Sequence, residues 1–195
     1  EFGADTLRTY VLFMGDYASA APWSESSVKG CKRFLERVAD LPAMVKGSGV
    51  TDGMEALFHK TIKKVTQDIE ELKFNTAVAS LMTLINEIES KGSLTSDELS
   101  VFVRLLSPFA PHLCEEIWEN MGKEGMIALA KWPEYDESKT VDSTIEIAVQ
   151  FNGKVRGTVT IAKDADKETV FAKVREELSQ FFDGKTVVKE IYVPG

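Results

Sequence analysis

Rows of cations at helical spacing are the side chains of this sequence best suited to binding a ligand. Two rows recur at intervals that place each of them along one side of a helix: Lys29, Arg33 and Arg37, and Lys60, Lys63 and Lys64. Lysine and arginine bind the phosphate groups of nucleic acids, but a charged row is also the ordinary solvated face of an amphipathic helix. The spacing alone leaves both interpretations open.

A third set of polar residues lies at the tip of a predicted β-hairpin. Asn152-Gly153 favours a two-residue type I′ turn, and Lys154 and Arg156 follow it closely. Backbone amides at a tight turn, together with two cations, suit a phosphate or the edge of an unstacked base. The turn would favour Asn-Gly in any case, so the dipeptide also has a purely structural interpretation.

The residue types that most often catalyse reactions are sparse in this sequence. His59 and His112 are its two histidines, and neither has Cys or Asp partners at the spacing of a metal site. Cys31 and Cys114 fall in helical patterns, which favours two buried, reduced thiols. We therefore predict no catalytic residue and no metal site, and we expect the chain to act by binding.

Hydrophobic periodicity predicts helices over the first 140 residues. The predicted helices cover about 3–18, 26–46, 54–72 and 76–90, then one that is capped by Thr95 or Ser96 and one that begins at Pro111. A flexible linker is predicted over residues 46–53. Short loops between long amphipathic helices are typical of an antiparallel bundle.

Residues at the helix ends and on the apolar stripes refine this prediction. Asp5 is expected to cap the first helix, Ser24 or Ser26 the second, and Gly92 to end the fourth, whereas Pro42 kinks or ends the second. The first helix is expected to bury Leu7, Tyr10, Val11 and Met14.

Two tryptophans indicate how the last part of the bundle packs. The helix that begins at Pro111 should press Trp118 into the core, because Leu113, Ile117 and Trp118 share one face. Trp132 lies in a segment without strong periodicity, which suggests a stretch of chain that crosses the bundle.

The pattern changes to strand alternation near residue 141. Residues 144–151 and 154–162 alternate apolar and polar side chains, and Val155, Gly157, Val159 and Ile161 are the alternating positions expected to share one face of the second strand. A helix over 166–182 and a third strand over 187–193 follow. The predicted fold is multi-domain: an all-α antiparallel helical bundle over 1–140, then a small α+β (ββαβ) domain over 141–195.

The composition is that of an ordinary soluble globular protein. The 195 residues are 44% apolar and 28% charged, and no apolar run approaches the roughly 18 residues of a membrane span. A net charge of −8 argues against non-specific binding to nucleic acid but allows a local basic row. No secretory signal is visible, the N-terminus looks cut from a larger protein, and the expected location is the cytoplasm.

Several stretches resemble class I aminoacyl-tRNA synthetases. Residues 1–8 and 13–15 resemble the segment after the catalytic domain in the Leu/Ile/Val group. Residues 111–118, Pro-His-Leu-Cys-Glu-Glu-Ile-Trp, are similar to the signature of the anticodon-binding bundle of these enzymes. The resemblance extends over the whole chain and is strongest to bacterial-type leucyl-tRNA synthetases, through residues 22–25, 33–38 and 149–157.

The resemblance implies a C-terminal fragment that binds tRNA(Leu) for a catalytic domain outside this sequence. The bundle would contact the inner side of the L-shaped tRNA and the small domain its outer corner; compared with the family, the small domain here is expected to lack its last strand. Other partners would be the catalytic and editing domains of the parent chain, with the protein a monomer. ATP and Mg²⁺ belong to the full-length enzyme. The strings His-x-Gly-His and Lys-Met-Ser-Lys-Ser, which bind ATP in the family, do not occur, so the fragment is expected to be inactive and without a cofactor.

The resemblance also assigns the three cationic groups to tRNA. The implied tRNA-binding residues are Lys29, Arg33, Arg37, Lys60, Lys63, Lys64, Asn152, Lys154 and Arg156. Trp23 could stack on a base, or it could anchor its own loop or pack in the core. The alternative function is a non-catalytic module for protein–protein docking, which the acidic net charge favours.

Overall fold

The computed structural model of the protein contains two compact units, Glu1–Thr140 and Val141–Gly195. The residues that it describes are 2–16, 20, 22–140, 144–151, 153–162, 165–182 and 191. Two sequence predictions, Asn152 at the hairpin tip and most of the third strand over 187–193, lie outside these residues.

The first unit is a bundle of α-helices in its described part. The helices are α1 (Ala4–Phe13), α2 (Glu25–Asp40), α3 (Glu55–Glu70), α4 (Phe74–Lys91), α5 (Ser96–Leu106) and α6 (Pro111–Asn120). Short 3₁₀ helices occupy Leu41–Met44, Ile127–Leu129 and Glu137–Lys139. The all-helical character predicted for this part of the chain is confirmed.

Local end signals fix several of the helix boundaries. The Ser24 side chain caps α2 by accepting a hydrogen bond from the Ser27 amide, and Thr95 with Glu98 forms a capping box at α5. Gly92 ends α4 in the left-handed conformation, which a residue without Cβ adopts at little cost. Helix α2 ends at Asp40, just before Pro42, as the sequence predicted, and Pro42 lies in the 3₁₀ turn that follows.

The predictions for α1 were partly wrong. The helix ends at Phe13 rather than near residue 18, and its N-cap is Gly3 without a side-chain cap, so Asp5 does not cap it. Leu7 and Val11 are 46% and 53% exposed. Tyr10 is buried as predicted, but the other buried residues of α1 are Thr6 and Thr9, and the Thr9 hydroxyl donates a hydrogen bond to the Phe109 carbonyl at 3.2 Å. A polar side chain with a partner can therefore replace an apolar one at this interface.

Helix α4 lies at the centre of the bundle core. Its inward residues Leu81, Leu84, Ile85 and Ile88 have no exposed surface, and α5 contributes Phe102, Val103 and Leu106 to the same core. The apolar face of α6 is buried as predicted, with Trp118 only 8% exposed. Burial of this kind stabilises a domain by about 25 cal/mol per Å² of apolar surface.

The chain after α6 crosses the bundle and contacts α3. Trp132 Nε1 donates a hydrogen bond to Thr66 Oγ1 at 2.8 Å, and the Asp136 amide donates to His59 Nδ1 at 3.0 Å. The prediction that Trp132 lies in a segment across the bundle is thereby confirmed. His59, which the sequence left without a partner, has a structural role here.

The second unit contains a two-stranded antiparallel sheet and a helix in its described part. The elements are β1 (Thr144–Phe151), β2 (Lys154–Ala162) and α7 (Lys167–Glu177), followed by a 3₁₀ turn at Ser179–Phe181. Its core consists of Val159, Ile161, Val170, Val174 and Leu178. The unit is therefore a small α+β domain, and the full ββαβ order remains a prediction.

A bulge in β2 changes which side chains face solvent near the hairpin. Val149 pairs with Gly157 and the next residue, Gln150, pairs with Val155, so Arg156 is the extra residue of the bulge. The alternation predicted for β2 holds for Val159 but fails at Val155, which is 59% exposed. Gly157 lies so close to α7 that a Cβ atom there would come within 2.9 Å of Leu178 Cδ2.

None of the helices in the described residues is long and apolar enough to span a membrane.

Candidate functional site

The three cations of the α2 row have different environments: Arg37 binds side chains of another helix, whereas Lys29 and Arg33 face solvent. Arg37 Nε and Nη2 donate to the two carboxylate oxygens of Glu89 at 2.8 and 2.7 Å, and Nη2 also donates to Asn86 Oδ1 at 2.6 Å. The paired charges raise the pKa of Arg37 and lower the pKa of Glu89. This bidentate geometry is the strongest that arginine makes with a carboxylate, so Arg37 ties α2 to α4.

The other two residues of the α2 row face solvent. Lys29 Nζ lies 3.5 Å from the exposed Glu25 carboxylate one turn away. Arg33 is exposed and makes no hydrogen bond or ion pair that the structure records among its described residues. Exposed pairs within a helix contribute only about 0.3–0.5 kcal/mol, so a phosphate could replace Glu25 at small cost.

Sequence reasoning missed Lys32 in this row. Lys32 Nζ lies 3.8 Å from Glu36 Oε1, and its side chain is 44% exposed. The signal was available, because Lys32 follows Lys29 by three residues and is therefore its neighbour on the helix surface. Both lysines and Arg33 line one groove beside α2, with a volume of about 530 Å³.

The cations of α3 are engaged within the bundle. Lys63 Nζ lies 2.6 Å from Glu137 Oε1, which raises the pKa of Lys63, and Lys64 pairs with the buried carboxylate of Asp68. Lys60 is half-buried on the same helix. The α3 row therefore serves mainly to hold its own helix and the segment near residue 137, and its assignment to tRNA stays a prediction.

The hairpin of the second unit presents two cations to solvent. Lys154 and Arg156 are exposed, and neither has a hydrogen bond or ion pair recorded with another described residue. Gly153 has φ of +75°, the left-handed conformation that the turn requires. The bulge at Arg156 brings three consecutive exposed residues, Lys154 to Arg156, onto this part of the strand.

Trp23 is exposed to 61% immediately before α2. Its ring packs edge-on against Tyr10, with 4.9 Å between the ring centroids. The Tyr10 hydroxyl accepts a hydrogen bond from the Ser24 amide at 2.8 Å, so the same tyrosine fixes the start of α2. The ring of Trp23 anchors its loop and also has a solvent-facing surface, whereas burial in the core is excluded.

The remaining candidates for chemistry have structural surroundings. His112 Nδ1 lies 2.8 Å from Asp5 Oδ1. Cys31 and Cys114 are free and buried, as predicted, and burial raises the pKa of both thiols. No group of three or more His, Cys, Asp or Glu side chains that could hold a metal ion occurs within the described parts of the chain.

Comparison with known proteins identifies the class to which this arrangement belongs. The family model for the anticodon-binding domain of tRNA ligases matches residues 53–176, which extend from the end of the first linker into α7. The chain belongs to this family of tRNA ligase domains.

Within that class, the similarity is to leucine–tRNA ligases over the whole chain. The chain is 50% identical to the enzyme of Alkaliphilus oremlandii and 40% identical to that of Prosthecochloris aestuarii; each comparison covers 100% of this chain and 25% of the relative. The chain therefore spans about a quarter of the length of the curated relatives that it matches.

A solved structure has the same fold. It is the crystal structure of the ternary complex of the Agrobacterium radiobacter K84 agnB2 LeuRS with tRNA and LeuAMS, which is 29% identical with a TM-score of 0.67. The comparison covers 99% of this chain and 27% of that chain. Because almost the whole chain aligns, both units of the present structure have counterparts in that protein.

Proposed function

We propose that this chain binds tRNA(Leu) and positions it for ATP-dependent leucylation by the catalytic domain of a leucine–tRNA ligase. The observation that carries the proposal is the similarity, over 99% of the chain, to a LeuRS crystallised with tRNA. The 50% identity to a leucine–tRNA ligase over the whole chain supports leucine as the amino acid.

The exposed cations suggest where the phosphates of the tRNA would lie. Lys29 and Arg33 on α2, and Lys154 and Arg156 on the hairpin, are free to exchange water or a weak ion pair for a phosphate. Arg37 would first have to give up its two bonds to Glu89. We therefore rank the α2 surface and the hairpin above the α3 row as contact regions, with Asn152 contributing at the hairpin turn.

The proposal assigns the chemistry to domains outside this sequence. ATP and Mg²⁺ would bind to the catalytic domain of the longer ligase, and this chain would not leucylate tRNA alone. Its partners would be tRNA(Leu) and the catalytic and editing domains of one monomeric enzyme in the cytoplasm. Residues 187–193 would add a third strand to the hairpin and complete the ββαβ order.

Removal of the hairpin cations tests the proposal directly. We expect Lys154→Ala with Arg156→Ala to weaken binding of tRNA(Leu) by about tenfold near 0.1 M salt, because two phosphate contacts are lost. The slope of log affinity against log salt should fall by up to about 2. A salt titration by filter binding measures both quantities, in the 195-residue chain and in the ligase that contains it.

The matched control removes two positive charges from α7 of the same unit, as Lys167→Ala with Lys173→Ala. If net charge alone attracts the tRNA, both double variants will lose affinity equally. Unchanged affinity and slope in the hairpin variant would refute the assignment of the hairpin. Leucine activation without tRNA should be unaffected, because the hairpin contacts no amino acid or ATP in this proposal.

A protein-docking module is the second candidate, and an apolar depression favours it. The depression has a volume of about 470 Å³ between α5, α6 and residues 126–132, and Leu129 nearby is 84% exposed. A gel-shift experiment at low salt distinguishes the candidates. The tRNA-binding proposal predicts that the chain shifts tRNA(Leu) but not a duplex of equal charge, whereas docking predicts that it shifts neither.

A further inference from the structure

We propose that the groove beside α2 binds one unstacked nucleotide of an RNA, with its phosphate on Arg33, Lys29 and Lys32 and its base against Phe2. The inference rests on the proposed function and makes it more specific, because it names the kind of RNA segment that the bundle would take. An unpaired nucleotide at a loop or bend differs from the regular backbone of a duplex in both shape and exposed base surface.

The groove has the length and lining that such a ligand requires. It is bounded by Phe2 on one side and by a row of α2 residues on the other: Ser26, Lys29, Lys32, Arg33 and Glu36. Residues 26 to 36 of a helix extend over about 15 Å at 1.5 Å per residue. The volume of about 530 Å³ lies within the usual range of small-ligand sites, which is about 300–1,000 Å³.

Charge within the groove is concentrated where one phosphate would lie. Lys29, Lys32 and Arg33 fall within five consecutive residues, a rise of about 6 Å along the helix. The acidic residue at the far end, Glu36, would repel a second phosphate, and it pairs with Lys32 only at 3.8 Å. The distribution favours one phosphate near the middle of the groove rather than a continuous backbone track.

Phe2 supplies an aromatic surface at this position. One part of the side chain packs against the cluster of Tyr10, Val28 and Cys31, which holds it in place, and another part lines the groove. Stacking of a base on an aromatic side chain contributes about 1–3 kcal/mol, whatever the base. Cations beside a fixed aromatic ring are the combination that binds single-stranded nucleic acid.

A short single strand is the probe that isolates this site. The probe is a fluorescently labelled five-nucleotide RNA at low salt, and its partner probe is a longer, blunt, GC-rich RNA duplex that stays base-paired under the same conditions. Binding of each to the 195-residue chain is measured by anisotropy. We expect the single strand to bind more tightly than the duplex, because only an unstacked base can reach Phe2.

Two variants of the groove test the contact with the phosphate and the contact with the base separately. Lys29→Ala with Arg33→Ala should reduce affinity for the single strand at least fivefold and lower its salt slope by about 1. Phe2→Leu keeps an apolar side chain on the cluster but removes the ring, and it should reduce affinity about fivefold with the salt slope unchanged. Circular dichroism verifies that each variant is folded.

The matched control on the same unit is Lys46→Ala with Lys131→Ala, which removes the same charge at positions away from the groove. Its affinity for the single strand should stay within about twofold of that of the parent protein. The proposal is overturned if the groove variants bind the single strand as the parent does. It is equally overturned if the duplex binds in the groove as well as the single strand.

Binding of tRNA(Leu) separates failure of this inference from failure of the proposed function. If tRNA binds and depends on Lys154 and Arg156 but not on Phe2 and Arg33, the groove assignment is wrong and the proposed function stands. If the single strand binds in the groove but tRNA(Leu) binds no better than an unrelated RNA, the groove assignment stands and the proposed function is wrong.

Discussion

Glu98 is a buried carboxylate that accepts hydrogen bonds from two segments of the bundle. It is 3% exposed; one oxygen accepts from the Thr51 amide at 2.7 Å, and the other accepts from Thr51 Oγ1 at 2.7 Å and from the Thr95 amide at 2.8 Å. The capping box of α5 thus also fixes the linker between α2 and α3. A buried carboxylate is tolerated because donors surround it.

We expect Glu98→Ala to lower the free energy of unfolding by about 2–3 kcal/mol, because the buried Thr95 amide and the half-buried Thr51 amide lose their acceptor. Glu98→Gln should cost about 1–2 kcal/mol, since its NH₂ group cannot accept a hydrogen bond where one carboxylate oxygen did. Urea unfolding followed by tryptophan fluorescence measures both. Glu87→Ala on the exposed face of α4 is the control and should change stability by less than about 0.5 kcal/mol.

Sequence patterns located the candidate cations but not their partners. The four-residue repeat placed Arg37 on the same side of α2 as Arg33, and the structure agrees. What separates the two is Glu89, which lies 52 residues away on another helix. A pairing of this kind depends on how helices pack, which the periodicity of one helix does not contain.

Helix α6 receives its N-terminal cap from another helix. Its own N-cap residue, Ala110, has no side chain that can accept a hydrogen bond. Asp5 of α1 replaces it: Oδ2 accepts from the Leu113 amide at 2.8 Å, and Oδ1 lies 2.8 Å from His112 Nδ1. A carboxylate at a helix N-terminus satisfies a free N–H and interacts favourably with the helix dipole.

We expect Asp5→Ala to destabilise the bundle by about 1–2 kcal/mol, the usual effect of removing an N-cap. Because Asp5 joins α1 to α6, the variant should also increase hydrogen exchange at the Leu113 amide, which a purely local effect on α1 would not do. Asp40→Ala, at the exposed C-terminal end of α2, is the matched control and should be neutral. Unaltered exchange at Leu113 would contradict the capping role.

Elements with strong local signals were predicted well, and those that depend on tertiary contacts were not. Proline at the start of α6 and the capping box of α5 fixed their boundaries from a few adjacent residues. The buried face of α1 was predicted only in part because it uses Thr6 and Thr9, which an apolar pattern does not reveal. The bulge at Arg156 was missed because one inserted residue is not visible in the sequence pattern. Apolar and polar side chains still alternate before it and after it.

At the scale of the molecule, the two units differ greatly in the size of their cores. The first contains a large cluster of fully buried residues that includes Phe102, Leu81 and Ile85. The second has five buried residues in its described part, with half-buried aromatics such as Phe151 packed against them. Domains of about 60 residues are marginally stable because they bury a small fraction of their surface. The second unit should therefore unfold first.

The positions of the tryptophans allow the order in which the two units unfold to be measured without labels. All three, Trp23, Trp118 and Trp132, lie in the first unit, so their fluorescence reports the bundle, whereas far-ultraviolet circular dichroism reports both units. In urea, the circular dichroism signal should begin to fall before the fluorescence changes. Val159→Ala, which creates a cavity in the small core at a cost of about 2 kcal/mol, should move only the early phase. Phe102→Ala should move the fluorescence transition and the coinciding later phase of the circular dichroism signal, but not its early phase. A shift of both phases by either variant would show that the units unfold as one.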